Sequence, residues 1–467
     1  MEVSQLEGKV EEQRKKVFDG KPRVKLVNPC KIGNGIVNFS LFLRDELIKK
    51  YEHKQLEPYF FIPASGSGSR MFQFLYEFLD NPNGQSSGQI ERFFNHIEDF
   101  AFYQKVPQSI KDLSLFEDSN LEKFIRFLLE EEGLGLAHIP KGLIPFHRNG
   151  PFILNAFQEQ ALQAARMGHR DLKIHFTINK KYENEIRQCL KSIEDLIGSQ
   201  LNISFSIQDP DTDAFAFDQD GNPVMLEDGN YLRRPAGHGA LLRNLNEVNA
   251  EIAFIKNIDN LQNFNKSRDA ENTLKYLGGI VLWFKEEASK IMHNPSLNRL
   301  RELNKQFQFI PETVMDNLKE REIRDVLNRP VRVCGMVRNE GQPGGGPFWI
   351  DNDGVISKQI VEKAQIANSS DQFKIMVQST HFNPVMIAAS TRDFDGNKYN
   401  LDDFVDHSKY FVVHKQYQGK DIHFSELPGL WNGSMAHWNT IFVEIPSETF
   451  SPVKTVLDLL DAPHQEF

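Results

Sequence analysis

Strands that alternate with helices predict an α/β protein with a mostly parallel central sheet covered on both faces. Three observations carry this. The run Tyr59-Phe60-Phe61-Ile62-Pro63 reads as a buried strand, followed by the small-residue loop Ala64-Ser65-Gly66-Ser67-Gly68-Ser69 and a helix from Phe72. Strand patterning returns at 172–178, 201–207 and 252–255, with helical patterning at 158–168, 182–197 and 241–248. Ligands in such sheets lie beyond the carboxyl ends of the strands.

The remaining elements follow in order. Residues 1–54 read as a mainly helical, polar N-terminal extension packed on the core, with an apolar stretch at 36–43. The α/β core is expected over 55–330. Residues 81–88 (Asn-Pro-Asn-Gly-Gln-Ser-Ser-Gly) form a loop by composition. Helical apolar spacing (Ile90, Phe93, Phe94, Ile97, then Leu121, Phe124, Ile125, Leu128) predicts a helical insertion at 88–132. A long helix is expected over 272–292. The segment 331–467 is richer in strand-like runs and glycine, and forms a third region.

Composition narrows the function classes. The 467 residues carry 54 Lys and Arg against 64 Asp and Glu, a net charge of −10, which argues against a general nucleic-acid binder. The three cysteines, Cys30, Cys189 and Cys334, lie far apart without Cys-x-x-Cys spacing, so neither a disulfide framework nor a zinc site is expected. The charged start of the chain lacks an apolar signal core. The most apolar helical segment, 277–284, meets Lys285-Glu286-Glu287 and is too short to span a membrane. The expected setting is cytoplasmic, with no membrane partner.

Several segments could carry chemistry. Gly and Ser let the Ser65–Ser69 loop turn backbone N–H groups toward a phosphate, and the planar fork of Arg70 grips phosphate oxygens at two points. The loop lacks the Gly-Lys-Ser/Thr of a P-loop and the third glycine of a dinucleotide fingerprint. Lys141 lies in the turn Pro140-Lys141-Gly142, able to neutralise phosphate charge, although alone it reads as a solvated loop lysine. Pro235-Ala236-Gly237-His238-Gly239 opens a helix and would hold a base or ribose edge, or is a plain helix start. Asp259 follows a short strand, where it would hold Mg2+ or form an Asp-Asn turn. Asp209-Pro210-Asp211-Thr212-Asp213 is an acidic loop, preceded by Gln208, which can bond a base edge. The glycines of Gln342-Pro343-Gly344-Gly345-Gly346-Pro347-Phe348-Trp349 suggest a close backbone approach or a moving loop, with a sugar near Trp349 or a simple hairpin.

Taken in order, these segments resemble the UDP-glucose and UDP-N-acetylhexosamine pyrophosphorylase family of sugar nucleotidyltransferases. Gly66-Ser67-Gly68-Ser69-Arg70-Met71 resembles its Gly-rich triphosphate loop, and Pro140-Lys141-Gly142-Leu143 its Pro-Lys turn. Phe205-Ser206-Ile207-Gln208 resembles its Phe-x-x-Gln, Pro235-Ala236-Gly237-His238-Gly239 its Pro-x-Gly-His-Gly, and Asn257-Ile258-Asp259-Asn260-Leu261 its Asn-x-Asp-Asn-Leu. Val361-Glu362 and Phe382-Asn383 resemble sugar-contacting segments. Phe450-Ser451-Pro452-Val453-Lys454-Thr455 continues to Asp458-Leu459-Leu460 like the family's Phe-x-Pro-Val-Lys-Thr-x-x-Asp-Leu-Leu. Ser65 and Ser69 replace a Gly and a Thr of the family loop, and the chain ends soon after Lys454, where many relatives continue into a β-helix.

The resemblance implies a three-layer α/β/α nucleotidyltransferase (GT-A-like) core. It also implies transfer of a nucleotidyl group from a nucleoside triphosphate, UTP favoured, to a sugar 1-phosphate. Arg70, Lys141 and Lys454 would be catalytic, with Mg2+ on Asp259. Ser65, Gly66, Ser67, Gly68, Ser69, Gln208, Gly237, His238 and Gly239 would bind the nucleotide, and Glu362 and Asn383 the sugar. Two rivals remain: a glycosyltransferase using Asp211 and Asp213 as a metal clamp, and a non-catalytic nucleotide or sugar sensor.

Overall fold

The computed structural model describes residues 3–20, 22–82, 87–114, 118–168, 172–341 and 344–466. The fold is mixed α/β with a large, mostly parallel sheet, as expected, and divides into two compact units, each assembled from distant parts of the chain. Unit one comprises Met1–Leu56, Gln208–Phe254 and Tyr276–Ile445, and unit two Glu57–Ile207, Ile255–Lys275 and Pro446–Phe467. The division therefore differs from the three consecutive regions expected from the sequence.

In unit two, strands Pro58–Pro63, Lys173–Thr177 and Asn202–Ser206 pair in parallel, with Phe61 opposite His175 and His175 opposite Ser204. The first two are buried almost throughout, as strands covered on both faces must be. Helices Gln73–Asp80, Ala156–Ala165 and Glu183–Ile197 accompany them. Gly198 takes the left-handed conformation that ends the last of these, at φ 65°. Helices Ser87–Asn95 and Asp118–Leu129 form where apolar spacing predicts them, with Phe93, Phe124, Ile125 and Leu128 buried. Within the expected 81–88 loop, Asn83–Ser86 lie outside the described residues, and Ser87 and Gly88 belong to helix Ser87–Asn95.

In unit one, strand Val331–Arg338 pairs in parallel with Asn439–Glu444 and antiparallel with Met386–Ser390. Asn439–Glu444 pairs in parallel with Gly35–Val37, which puts Ile36 opposite Phe442. The N-terminal region is thus not helical throughout. Between helices Val3–Phe18 and Leu41–His53 it contributes strands Lys25–Pro29, Lys31–Ile32 and Gly35–Val37. The branched pair Ile36-Val37 buries as a strand does, and only 41–43 of the apolar stretch enters a helix.

A second, antiparallel sheet joins Lys25–Pro29, Gly346–Asn352 and Val355–Val361. Its entry explains the glycines at 344–346. A Cβ there would lie 2.6 Å from Phe382, 2.5 Å from Ile360 and 2.5 Å from Phe348, respectively. The run permits a close backbone approach. Trp349 is buried and donates from Nε1 to Asn34 Oδ1 at 2.9 Å, so it belongs to the core and presents no open face to a sugar. Gln342 and Pro343 lie outside the described residues. No described helix is long and apolar enough to cross a membrane.

Candidate functional site

In unit two, the loop after strand Pro58–Pro63 is pinned to the Pro140 turn. Lys141 N–H donates to Gly66 O at 3.1 Å, and Gly68 N–H donates to Ile139 O at 3.2 Å. Both glycine contacts are steric necessities. A Cβ on Gly68 would meet Ile144 at 2.5 Å, and one on Gly142 would meet Phe157 at 2.5 Å. The turn is clamped between the loop and helix Ala156–Ala165, which fixes the root of the Lys141 side chain.

The expected phosphate cradle differs in two details. The Gly68 amide is already engaged with Ile139. Arg70 stands in the short 3₁₀ turn Ser69–Phe72, so it precedes, rather than opens, helix Gln73–Asp80. Ser65, Gly66, Ser67, Ser69 and Arg70 are all exposed, and the hydroxyls of Ser67 and Ser69 lie 3.1 Å apart.

Asp259 lies just beyond strand Ile252–Lys256. Its loop is braced from two sides. Gln160, fully buried, donates from Nε2 to the carbonyls of Asn257 and Ile258, both at 3.2 Å. The C-terminal segment then bonds along it: Val453 N–H donates to Asp259 O at 3.0 Å, and Ser451 N–H to Asn260 Oδ1 at 3.1 Å. This pairing delivers Lys454. Asp458 accepts the backbone N–H groups of Lys454 and Thr455 at 2.6 and 2.7 Å and fixes that turn.

Three of the predicted residues therefore meet. Lys141 Nζ donates to Asp259 Oδ2 at 2.7 Å, and Lys454 Nζ donates to the same oxygen at 3.0 Å. Asp259 is 8 % exposed and the Lys454 side chain 48 %. Burial alone pushes the Asp259 carboxyl up, but the two ammonium groups outweigh it and the net shift is downward. Burial pulls the Lys141 ammonium below its ordinary value, against the opposing pull of Asp259, while Lys454 adds like-charge repulsion. Two cations on one carboxylate oxygen leave neither fully neutralised, which suits a polyanion.

Both lysines bond Asp259 Oδ2, so Oδ1 is the atom that would hold a magnesium ion, which commonly takes one or two protein carboxylates with the rest of its shell from water and phosphate. Among the described residues no three His, Cys, Asp or Glu side chains converge on a metal position. The acidic 209–213 loop follows the same rule. Asp209 caps a 3₁₀ turn, accepting Asp211 N–H, and pairs with Arg243 at 2.5 Å, while Asp213 accepts from Gln208 Nε2 at 3.5 Å.

The brace around Asp259 escaped the sequence reading. Helix Ala156–Ala165, capped by Asn155, buries Gln158, Glu159, Gln160 and Gln163. Gln163 Oε1 accepts from Lys256 Nζ at 3.0 Å, and burial pushes that ammonium down to about 8. Glu159 Oε1 lies 2.8 Å from His147 Nδ1, and His147 Nε2 lies 2.9 Å from His464 Nδ1, all buried. This chain ties down the end of the segment that carries Lys454. The available signal was a helix with polar residues on every face and too few charges for a solvated one.

Unit one holds the other predicted residues. His238 stacks on Trp431 with centroids 4.1 Å apart and planes at 18°. Leu430 N–H donates to His238 Nδ1 at 2.9 Å, so a neutral ring carries its proton on Nε2, which lies 3.7 Å from Glu362 Oε1. Gly237 has φ 72° and ψ −174°, a region open essentially only to glycine. Cβ atoms on Gly237 and Gly239 would strike the Glu426 carboxylate and the Pro428 carbonyl. Asn383 is different. It is 4 % exposed, and its amide donates to Gly335 O at 2.9 Å and accepts Val385 N–H at 3.0 Å, so it braces a loop. Trp431 is the partner the sequence reading missed.

The fold defines a class, the α/β proteins that share the fold of nucleotide-sugar pyrophosphorylases. The uridine diphosphate N-acetylglucosamine pyrophosphorylase from Trypanosoma brucei, solved with an inhibitor, is similar over 98 % of this chain and 75 % of its own, with a TM-score of 0.51 at 10 % identity. A mutant UDP-glucose pyrophosphorylase from Leishmania major matches 96 % of this chain and 73 % of its own at 13 % identity and a TM-score of 0.45. A UDP-glucose phosphorylase from Trypanosoma brucei matches 94 % and 70 % at 15 % identity and 0.45. The chain belongs to the family described as Domain of unknown function (DUF4301), which matches residues 2–465. No curated protein matches it.

Proposed function

We propose that the protein transfers a nucleotidyl group from a nucleoside triphosphate, UTP favoured, to a sugar 1-phosphate, forming a nucleotide sugar and pyrophosphate. The observation that carries this is the meeting of Lys141 and Lys454 on one oxygen of Asp259. Two polyanions must approach each other in this reaction, so charge neutralisation and positioning dominate its barrier.

A phosphate oxygen of the sugar 1-phosphate attacks the α-phosphorus, and the bond from that phosphorus to the β-phosphate bridging oxygen breaks. Lys141, clamped by its turn, neutralises charge on the transferring group. Lys454, half exposed, follows charge onto the leaving pyrophosphate. Asp259 holds both ammonium groups in place and would hold Mg2+, which screens phosphate charge when bound. Arg70 and the exposed amides of the Ser65–Ser69 loop grip the triphosphate. Gln208 and the Gly237–Gly239 turn read the base, with His238 Nε2–H as donor, and Glu362 takes a sugar hydroxyl.

The glycosyltransferase reading has less support, since Asp213 of its Asp211–Asp213 clamp accepts from Gln208 Nε2 at 3.5 Å. The test is pyrophosphate release by the full chain with Mg2+, a panel of nucleoside triphosphates and a panel of sugar 1-phosphates. Turnover that falls about 100-fold or more in Lys141→Ala supports the reading. Binding without turnover makes the protein a sensor, and turnover indifferent to Lys141→Ala overturns the assigned roles.

A further inference from the structure

In unit one, strands Phe411–Tyr417 and Lys420–Glu426 form an antiparallel hairpin that sets His414 directly opposite His423. Side chains opposed in this way have Cβ atoms about 4.5–5.5 Å apart. Here the imidazole centroids are 4.5 Å apart with planes at 77°, and the two Nδ1 atoms are in hydrogen-bond contact with each other. Strand alternation explains the pairing. Val413, Ile422 and Phe424 join the apolar cluster of Ala214, Ala216, Leu232 and Ala236 on one face. The opposite face carries His414, exposed, and His423, half-buried. Phe18 lies edge-on to His423 at 5.9 Å and closes one side. Asp421 sits on the same face, opposite Gln416, and accepts from Gln219 Nε2 at 2.9 Å.

We propose that His414 and His423 form a two-nitrogen site for a borderline divalent cation, Zn2+ or Cu2+. Imidazole is the protein donor these ions share. Each neutral ring has one free lone pair. With Nδ1 facing Nδ1, one ring must lend a proton for the other to accept, and a cation that replaces this proton takes both lone pairs. Among the described residues no third His, Cys, Asp or Glu converges with the pair, so water fills the remaining positions on the open side. The strand that bears His423 runs on to Glu426, and Leu427 N–H then donates to Ala236 O at 3.0 Å. A bound ion would therefore staple the hairpin whose end supports the Gly237 turn.

The full metal-free chain is titrated with Cu2+ under electron paramagnetic resonance, and its thermal unfolding is followed with and without Zn2+. The expected result is one Cu2+ per chain with the signature of two imidazole nitrogens, and a higher melting temperature in Zn2+. His414→Gln, at an exposed position, and His423→Gln should each remove both effects, while His407→Gln should leave them intact. No binding by the unaltered chain, or an unchanged Cu2+ spectrum in His414→Gln, would overturn the site.

Discussion

Lys454 donates to Asp259 across 195 residues of sequence, at 3.0 Å, and reaches the oxygen that Lys141 already holds at 2.7 Å. Two ammonium groups are thereby gathered before any substrate charge is present. Their mutual repulsion is tolerated because a buried carboxylate stands between them. A polyphosphate would relieve that repulsion, whereas a neutral ligand would not.

Replacement of Lys454 should separate function from stability. Its side chain is 48 % exposed, and in its absence Lys141 still pairs with Asp259. Lys454→Ala should therefore melt close to the unaltered chain while its pyrophosphate release falls about 100-fold or more. Lys454→Arg should recover some of the rate. Equal rates for Lys454→Ala and the unaltered chain would remove Lys454 from the mechanism.

Asp259 should add a pH-dependent increment of stability. Its folded carboxyl lies below the ordinary value of 3.8, so the increment is complete above 3.8 and disappears as the pH falls through the lower folded value. Urea unfolding of the unaltered chain and Asp259→Asn across this range measures it. The difference between the two should be constant at higher pH and shrink on acidification. A difference that grows on acidification would contradict the ion-pair assignment.

Gln160 should matter more than a buried amide ordinarily does. Its Nε2 serves the carbonyls of Asn257 and Ile258 at 3.2 Å each. Gln160→Leu leaves buried acceptors unpaired, at about 1–3 kcal/mol apiece. Chemical unfolding should register the loss, and turnover at temperatures where the variant is fully folded should also fall, because the Asp259 loop loses its brace. Normal turnover in a folded Gln160→Leu would reduce this residue to a packing role.

The Gly237–Gly239 turn should reject any side chain. Gly237→Ala places an alanine at φ 72°, a strain of about 1–3 kcal/mol. Gly239→Ala drives a methyl into the Pro428 carbonyl. Both changes should displace His238 from Trp431 and weaken nucleotide binding, read as a smaller thermal shift with UTP. An undiminished shift in Gly239→Ala would place the base elsewhere.

Much of this was legible in the chain because it depends on local patterning. The strands at 58–63, 173–177 and 202–206 follow from short apolar runs, and the helix at 183–197 from its helical patterning. Lys141 and Asp259 were candidates from their loops, each with a plain structural alternative, and Lys454 was named only through the family resemblance. The strand Gly35–Val37 was hidden by its brevity, since three residues are too few to show a period. Helix Ala156–Ala165 was visible as a helix, but nothing in its periodicity revealed that four polar residues on it face the interior. The sugar-packing reading of Trp349 failed for a similar reason, because an aromatic residue beside glycines looks the same in a cleft and in a core.

The sequence by itself determined the class of fold and the chemical kinds of residue that could meet a phosphate, because these rest on interactions between neighbours along the chain. Only the tertiary structure decided that Lys141 and Lys454 share one oxygen of Asp259, that Gln160 and Asp458 hold the loops beneath them, and that His238 leans on Trp431. Those relationships join segments far apart in the chain. The closure entropy of bringing them together is offset by many contacts at once, so no single local pattern encodes them.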